Sequence, residues 1–139
     1  MTGNSKQVDL EKYAVFVDGV TSNPSKDYKS FLDSIEYLDG EGSNIQRLLT
    51  AAVGISAEGG EFMEIVKKMV FQGKPWNDDN REHLIIELGD VMWYVMQACA
   101  ALDVSLEDVV AGNVEKLKKR YPGGEFNVYE SENRASDDR

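Results

Sequence analysis

The hydrophobic positions of the chain recur at helical spacing, and no strand pattern of weight interrupts them. Over residues 26–38, four apolar side chains fall on one side of a predicted helix: Tyr28, Phe31, Leu32 and Ile35. Spacings of three and four residues mark one face of an α-helix. The pattern predicts an all-α fold with four main helices, of which this is the first.

Two longer helices follow, over residues 44–71 and 80–102. Gly59-Gly60 lies in the middle of the earlier one, where each glycine costs about 1 kcal/mol relative to alanine. The pair indicates either a kink with tight helix packing or room for a ligand. The later helix is apolar on two sides, which predicts burial both in a bundle and against further copies of the chain.

Ser25, Ser43 and Ser105 are the predicted N-caps of the first, second and fourth helices. The fourth helix ends near Tyr121, before Pro122-Gly-Gly. We expect three regions: an N-terminal arm (1–24), one helical domain (25–124) and an acidic tail (125–139) that is disordered at its end.

The charge and composition of the chain argue against several classes of partner. A net charge of −10 argues against binding to a nucleic-acid polymer, which requires a basic surface. No apolar run reaches the roughly 20 residues that cross a bilayer, so we expect no membrane partner. The start of the chain lacks the features of a signal peptide, and a single cysteine, Cys99, excludes an intrachain disulfide. These features predict a cytoplasmic protein.

The candidate chemistry lies in two pairs of acids, Glu58-x-x-Glu61 and Glu87-x-x-Asp90. Each pair places two carboxylates on one side of its helix, at the margin of the apolar face. One such pair is a weak signal, since glutamate is common on helices. Antiparallel packing of the two helices would bring all four acids together, and hard oxygen ligands suit Mg²⁺ or Mn²⁺. The sequence therefore points to a metal-dependent enzyme acting on a phosphate ester or nucleotide.

Further polar residues lie near these acids on the helical wheel. Lys68 falls on the side of Glu61, and Tyr94 clusters with Glu87 and Asp90. On the fourth helix Asn113 falls inside the apolar arc, where a polar group needs a partner, with Lys116 and Arg120 along its flank. These cations either hold phosphate oxygens or pair with helix acids. The lone His83 is more typical of a structural or exposed residue than of a metal ligand.

The stretches ISAEGGEFMEIVKK, ELGDVMWYV and NVEKLKKRYPGGEF resemble the MazG-like all-α nucleotide pyrophosphohydrolases, over about residues 26–126. The signature of that family is E-x-x-E followed, one to two dozen residues later, by E-x-x-D. One departure is visible: many members have two adjacent glutamates at the first motif, and here Ala57 precedes Glu58. The departure bears on the number of metal ions held.

The resemblance implies hydrolysis of a nucleoside triphosphate, in particular a deoxynucleotide, to the monophosphate and pyrophosphate. It implies that Mg²⁺, with Mn²⁺ as a substitute, is held by Glu58, Glu61, Glu87 and Asp90, and that Glu58 orients the attacking water. The implied contacts to phosphate come from four residues, and Tyr94 would touch the sugar or base. The four are Lys68, Asn113, Lys116 and Arg120.

The resemblance also implies a homodimer or homotetramer, whose base pocket uses the helix before the first motif. Tyr28, Phe31 and Trp76 could stack on a base there. If the protein is of the viral type, its place is the host cytoplasm. Two alternatives stay open: a phosphoribosyl-ATP pyrophosphatase-like enzyme with the same chemistry, and a non-catalytic, metal-stabilised helical oligomer or regulatory module. A di-iron bundle is disfavoured because it needs two E-x-x-H motifs.

Overall fold

The computed structural model describes residues 6–133, and every regular element within that range is a helix. The helices are α1 (Leu10–Val20), α2 (Asn23–Lys26), α3 (Tyr28–Gly40), α4 (Ile45–Phe71), α5 (Asp78–Leu102), α6 (Leu106–Arg120) and α7 (Val128–Glu132). The predicted all-α fold is confirmed. The chain forms two compact units that meet in sequence between Ser43 and Asn44.

The first unit contains α1, α2 and α3. Helix α1 lies within the predicted N-terminal arm, where the weak periodicity had not predicted a helix. Asp9 caps it by accepting a hydrogen bond from the backbone N–H of Lys12 at 3.1 Å. Lys26 Nζ then donates to the carbonyl and the carboxylate of Asp18, at 2.9 and 3.3 Å. Polar contacts thus fix the path from α1 into α2.

Helix α3 begins later than predicted because the cap is Asp27 rather than Ser25. The Asp27 carboxylate accepts hydrogen bonds from the backbone N–H and the hydroxyl of Ser30, at 2.9 and 2.8 Å. These bonds hold the pKa of Asp27 below its usual value. Ser25 lies inside the short helix α2. A carboxylate that accepts two bonds is the stronger cap, and it sets the start of α3 at Tyr28.

The second unit is built on α4 and α5, which pack against each other extensively. Contacts pair the start of α4 with the end of α5, so the two helices are antiparallel. Asn44 caps α4 through its side-chain oxygen, 3.3 Å from the backbone nitrogen of Arg47. The predicted cap, Ser43, instead donates to the carbonyl of Leu38 at 2.6 Å. Ser105 caps α6 as predicted.

The α4–α5 hairpin is tightest at Gly54. A Cβ atom at this buried glycine would overlap the ring of Tyr94 on α5. A side chain as small as that of alanine would therefore hold the helices further apart. The contact fixes the register of α4 against α5, and with it the relative positions of the acids that follow Gly54 and precede Tyr94.

Little of the apolar surface is covered within the single chain. Among the described residues, the buried apolar side chains are Ala51, Ile65 and Cys99. The predicted buried side of α6 is exposed, with Leu117 at 38% and Val110 at 53%. Helix α6 does not pack extensively against α4 or α5. Helical periodicity identified the apolar faces, but a single chain does not bury them.

Helix α5 departs from one expectation. It has 25 residues and a mean hydropathy of 1.3 over its most apolar stretch, so by length and composition it is able to cross a membrane. The core helix of a globular protein meets the same criterion, which makes it weak evidence. Glu87 and Asp90 lie within α5, and charged side chains are costly inside a bilayer. We attribute its apolar character to packing against other helices.

The chain past α6 is partly ordered. Helix α7 lies in the predicted acidic tail, and the ring of Phe126 lies 5.7 Å from that of Tyr121. Residues 134–139, where disorder was predicted, lie outside the described range.

The contact at Gly54 predicts opposite effects for two glycine substitutions. Gly54→Ala should destabilise the protein, because overpacking against the Tyr94 ring costs about 1–3 kcal/mol. Gly59→Ala, whose Cβ would enter open space, should stabilise it by about 1 kcal/mol. Urea unfolding at a fixed protein concentration measures both. Equal stabilisation by the two alanines would show that Gly54 does not set the helix separation.

Candidate active site

Three carboxylates from the facing helices meet beside Tyr94. One oxygen each from Glu58, Glu87 and Asp90 lie within 4.8 Å of one another. Glu58 comes from α4, and the other two come from α5, where their spacing places them on one side of the helix. Glu58 and Glu87 are half-buried, and Asp90 is exposed. We call these three residues the acidic cluster.

Burial and mutual repulsion both act on the acidic cluster. The pKa of Glu58 is raised above its usual value, chiefly because partial burial removes water from its carboxylate. A hydrogen bond with Glu87 raises it further, followed by the charges of Asp90, Glu87 and Glu61. A divalent cation between the three oxygens would remove this repulsion. The donor set is made of hard oxygens, which fits Mg²⁺ or Mn²⁺.

The fourth predicted ligand is placed differently. Glu61 is exposed on α4, one turn beyond Glu58, and is not among the three gathered acids. It is nonetheless near enough for its charge to contribute to the raised pKa of Glu58. The structure therefore brings three of the four predicted ligands together and leaves Glu61 at the edge of the site.

His83 belongs to the surroundings of the acidic cluster, a role that the sequence analysis missed. Its Nε2 lies 3.1 Å from Oε1 of Glu87, one turn along α5. A histidine hydrogen-bonded to a ligating carboxylate orients that carboxylate. The signal was present in the sequence as the i, i+4 spacing of His83 and Glu87 on one predicted helix.

Two aromatic residues line the cavity next to the acids. The cavity has a volume of about 360 Å³ and is lined by Glu58, Asp90, Trp93 and Tyr94. The Trp93 and Tyr94 rings meet edge to face, with centroids 5.1 Å apart, and Trp93 is 59% exposed. Tyr94 lies beside the acids, as predicted, whereas Trp93 was not predicted to line the site.

The predicted phosphate ligands lie further out. Lys68 Nζ is 3.5 Å from a carboxylate oxygen of Glu64. On α6, Asn113 is exposed rather than inside a buried arc, while Lys116 and Arg120 are half-buried and have interaction partners. Helix α6, which carries these three residues, does not pack extensively against α4 or α5.

The fold and the site together define a class: an all-α protein whose helical hairpin presents a carboxylate site suited to a divalent cation. Comparison with known proteins makes the assignment more specific. The family model of the MazG nucleotide pyrophosphohydrolase domain matches residues 46–124, which include α5, α6 and all of α4 except its first residue. The chain belongs to the MazG family, and the resemblance found in the sequence is confirmed.

A curated relative supports the same placement. Gene 37 protein of Mycobacterium phage L5 is 39% identical over 87 residues, which cover 61% of this chain and 75% of that protein. No solved structure matches significantly. Members of the MazG family act on nucleoside triphosphates and generally depend on divalent metals. The chain is accordingly a nucleotide pyrophosphohydrolase by family.

The raised pKa of Glu58 predicts how the metal-free protein responds to pH. An acid whose pKa is raised by folding stabilises the folded state below its usual pKa of 4.5, and this contribution is lost as pH rises through the raised value. Glu58→Gln should therefore weaken the loss of stability above pH 4.5. Urea unfolding in a chelator, from pH 4 upward, measures the effect.

Glu82→Gln, which removes a charge from an exposed position on α5, is the matched control. It leaves the acidic cluster intact, so the loss of stability attributed to Glu58 should remain in this variant. If the two variants gave the same pH profile, repulsion within the acidic cluster would not be what shapes it.

Proposed function

We propose that this protein hydrolyses nucleoside triphosphates, in particular deoxynucleotides, to the monophosphate and pyrophosphate in a Mg²⁺-dependent reaction. The observation that carries the proposal is the meeting of Glu58, Glu87 and Asp90 within 4.8 Å, on a hairpin that matches the MazG domain. The biological role that fits this reaction is control or sanitation of the nucleotide pool.

Glu58, Glu87 and Asp90 would hold the ion, with Glu61 completing the set from the adjacent turn of α4. Bound Mg²⁺ supplies neutralisation of charge on the phosphate oxygens and a water of lowered pKa, and Mn²⁺ can replace it. His83 would keep the Glu87 carboxylate in one orientation through its 3.1 Å contact.

The chain's own residues then direct the bond changes. A water oxygen bonds to the α-phosphorus while the bond from that phosphorus to the bridging oxygen breaks, and pyrophosphate leaves. Glu58 is our candidate to orient this water and accept its proton, because its half-buried side chain lines the cavity beside the acids. Tyr94, held against Gly54, would support the sugar beside the acids.

Lys68, Asn113, Lys116 and Arg120 stay our candidates for the phosphate oxygens. Docking of α6 over a hairpin would bring its three residues toward the acids. The exposed apolar side of α6 favours such docking, and the hairpin of a second copy offers a matching apolar surface.

We further propose that the protein assembles as a homodimer or homotetramer. Large apolar side chains are exposed along both α5 and α6, among them Ile86 at 54%, Leu102 at 58% and Val114 at 42%. Monomeric proteins rarely expose contiguous apolar surface of this kind. Burying it between copies would supply the core that one chain lacks.

Turnover of nucleotides tests the proposed reaction. With Mg²⁺ and a panel of deoxynucleoside and ribonucleoside triphosphates, we expect the monophosphate and pyrophosphate as products. Asp90→Asn should lower kcat/KM by more than about 100-fold, above the 10–100-fold typical of residues that support a metal ligand. Chromatographic product analysis distinguishes pyrophosphate from orthophosphate.

Asp79→Asn, in the exposed first turn of α5, is the control and should retain activity. Release of orthophosphate alone would mean that the wrong bond has been assigned. If the protein bound metal but turned over no nucleotide, the proposed reaction would be wrong and the non-catalytic alternative, a metal-stabilised helical module, would be favoured.

Light scattering at micromolar concentration tests assembly. We expect a dimer or tetramer, and we expect Leu117→Glu, which places a charge on the apolar side of α6, to shift the protein toward smaller species. Lys118→Glu, one residue along on the same helix but paired with Glu115, is the control. A strict monomer for the parent protein would contradict the proposal.

A further inference from the structure

The α4–α5 hairpin carries a second polar feature beyond Tyr94. Arg47 Nε donates a hydrogen bond to Oε1 of Gln97 at 2.8 Å, joining the start of α4 to the end of α5. Gln97 is half-buried and Arg47 is exposed. We call this pair the Arg47–Gln97 bridge. Neither residue belongs to the acidic cluster or to the family motifs quoted above.

The Arg47–Gln97 bridge and the acidic cluster lie at two ends of one surface. Gln97 is on the same side of α5 as Asp90, two turns further on, or about 10 Å along the helix axis. Trp93 lies between them and lines two cavities. One is the cavity beside the acids. The other, of about 310 Å³, is lined by Arg47, Gly89, Met92, Trp93, Met96 and Gln97.

We propose that the Arg47–Gln97 bridge and Trp93 form the base subsite of the nucleotide whose phosphates lie at the acidic cluster. The inference rests on the proposed function, since it takes the acids as the phosphate end. The separation of about two helical turns is comparable to that between the α-phosphate of a nucleotide and the far edge of its base. Tyr94 lies between, at the level of the sugar.

The hydrogen-bonding capacity of the bridge selects a class of base. Gln97 uses its oxygen to accept from Arg47, which directs its Nε2 amino group away from that bond. The bridge therefore presents donors: Nε2 of Gln97 and the terminal nitrogens of Arg47. Donors at this end match a carbonyl oxygen at the base edge furthest from the sugar, which is O6 in guanine and O4 in uracil and thymine. Adenine and cytosine carry an amino group at the same position, N6 and N4, and the O2 carbonyl of cytosine lies at the other end, next to the sugar bond.

Trp93 supplies the apolar part of the subsite. It is 59% exposed and lines both cavities. Base stacking on an aromatic ring is favourable for every base. Trp93 would therefore contribute affinity, while the Arg47–Gln97 bridge would contribute selectivity.

The substitution Gln97→Glu tests recognition of the base without breaking the contact between α4 and α5. The carboxylate still accepts from Arg47, so the link between α4 and α5 is kept, but the amino donor is lost. We expect kcat/KM for dGTP and dUTP to fall at least about 10-fold relative to dATP and dCTP. Gln46→Glu, an exposed neighbour with the same change of charge, should leave that ratio unchanged.

Trp93→Leu provides an independent readout. It should raise KM for all four nucleotides alike, and weaken binding of α,β-imido analogues in calorimetry to a similar extent, with the secondary structure and oligomer size unchanged. The two variants together distinguish stacking from edge recognition.

Failure of the proposed function and failure of the proposed base subsite give different results. If the parent protein hydrolyses no nucleotide, the proposed function fails. If the parent is active but Gln97→Glu lowers kcat/KM equally for all bases, or leaves every value unchanged, the bridge is only a helix contact and the base subsite proposed here is wrong.

Discussion

Repulsion among three carboxylates is the constraint around which this hairpin is organised. Glu58, Glu87 and Asp90 could separate easily if α4 and α5 were loosely packed, because Glu58 lies on α4 and the other two lie on α5. The contact of Tyr94 with Gly54 prevents this by fixing the two helices close together. Packing thus maintains a concentration of negative charge that a divalent cation would relieve. The packing of the hairpin and the meeting of the three carboxylates are two aspects of one arrangement.

The exposed apolar surface of the same hairpin supports the proposed assembly of several copies. Its helices are long and amphipathic, yet Ala51, Ile65 and Cys99 are the buried apolar side chains in the described part of the molecule. An isolated pair of helices buries too little apolar area to offset the loss of conformational entropy. Assembly would complete the core, and it would also offer a route by which α6 reaches the acids of a neighbouring copy.

Much of the fold could be predicted from the sequence because helical periodicity is local. The ends of α4 and α6 and the cap at Ser105 followed from apolar spacing and turn residues. The caps at Asp27 and Asn44 were missed because adjacent polar residues compete for the same N–H groups, and the geometry of the preceding turn decides between them.

The features of the candidate site that are local in sequence could also be predicted, and those that depend on tertiary contacts could not. The two acid pairs could be predicted because each pair lies within one helix, at i, i+3 spacing in the sequence. The outward position of Glu61, the contact of Tyr94 with Gly54 and the Arg47–Gln97 bridge depend on which residues of α4 face α5. The last of these joins positions 50 residues apart, which no local pattern encodes. Sequence patterns indicated the chemistry, and tertiary contacts determined the arrangement of the site.

Anomalous diffraction from crystals grown with Mn²⁺ is the most direct measurement of the central claim. We expect a Mn²⁺ peak between the carboxylates of Glu58, Glu87 and Asp90, with metal–oxygen distances near those usual for octahedral oxygen coordination. A peak elsewhere on the molecule, with these three side chains turned apart into solvent, would contradict the account.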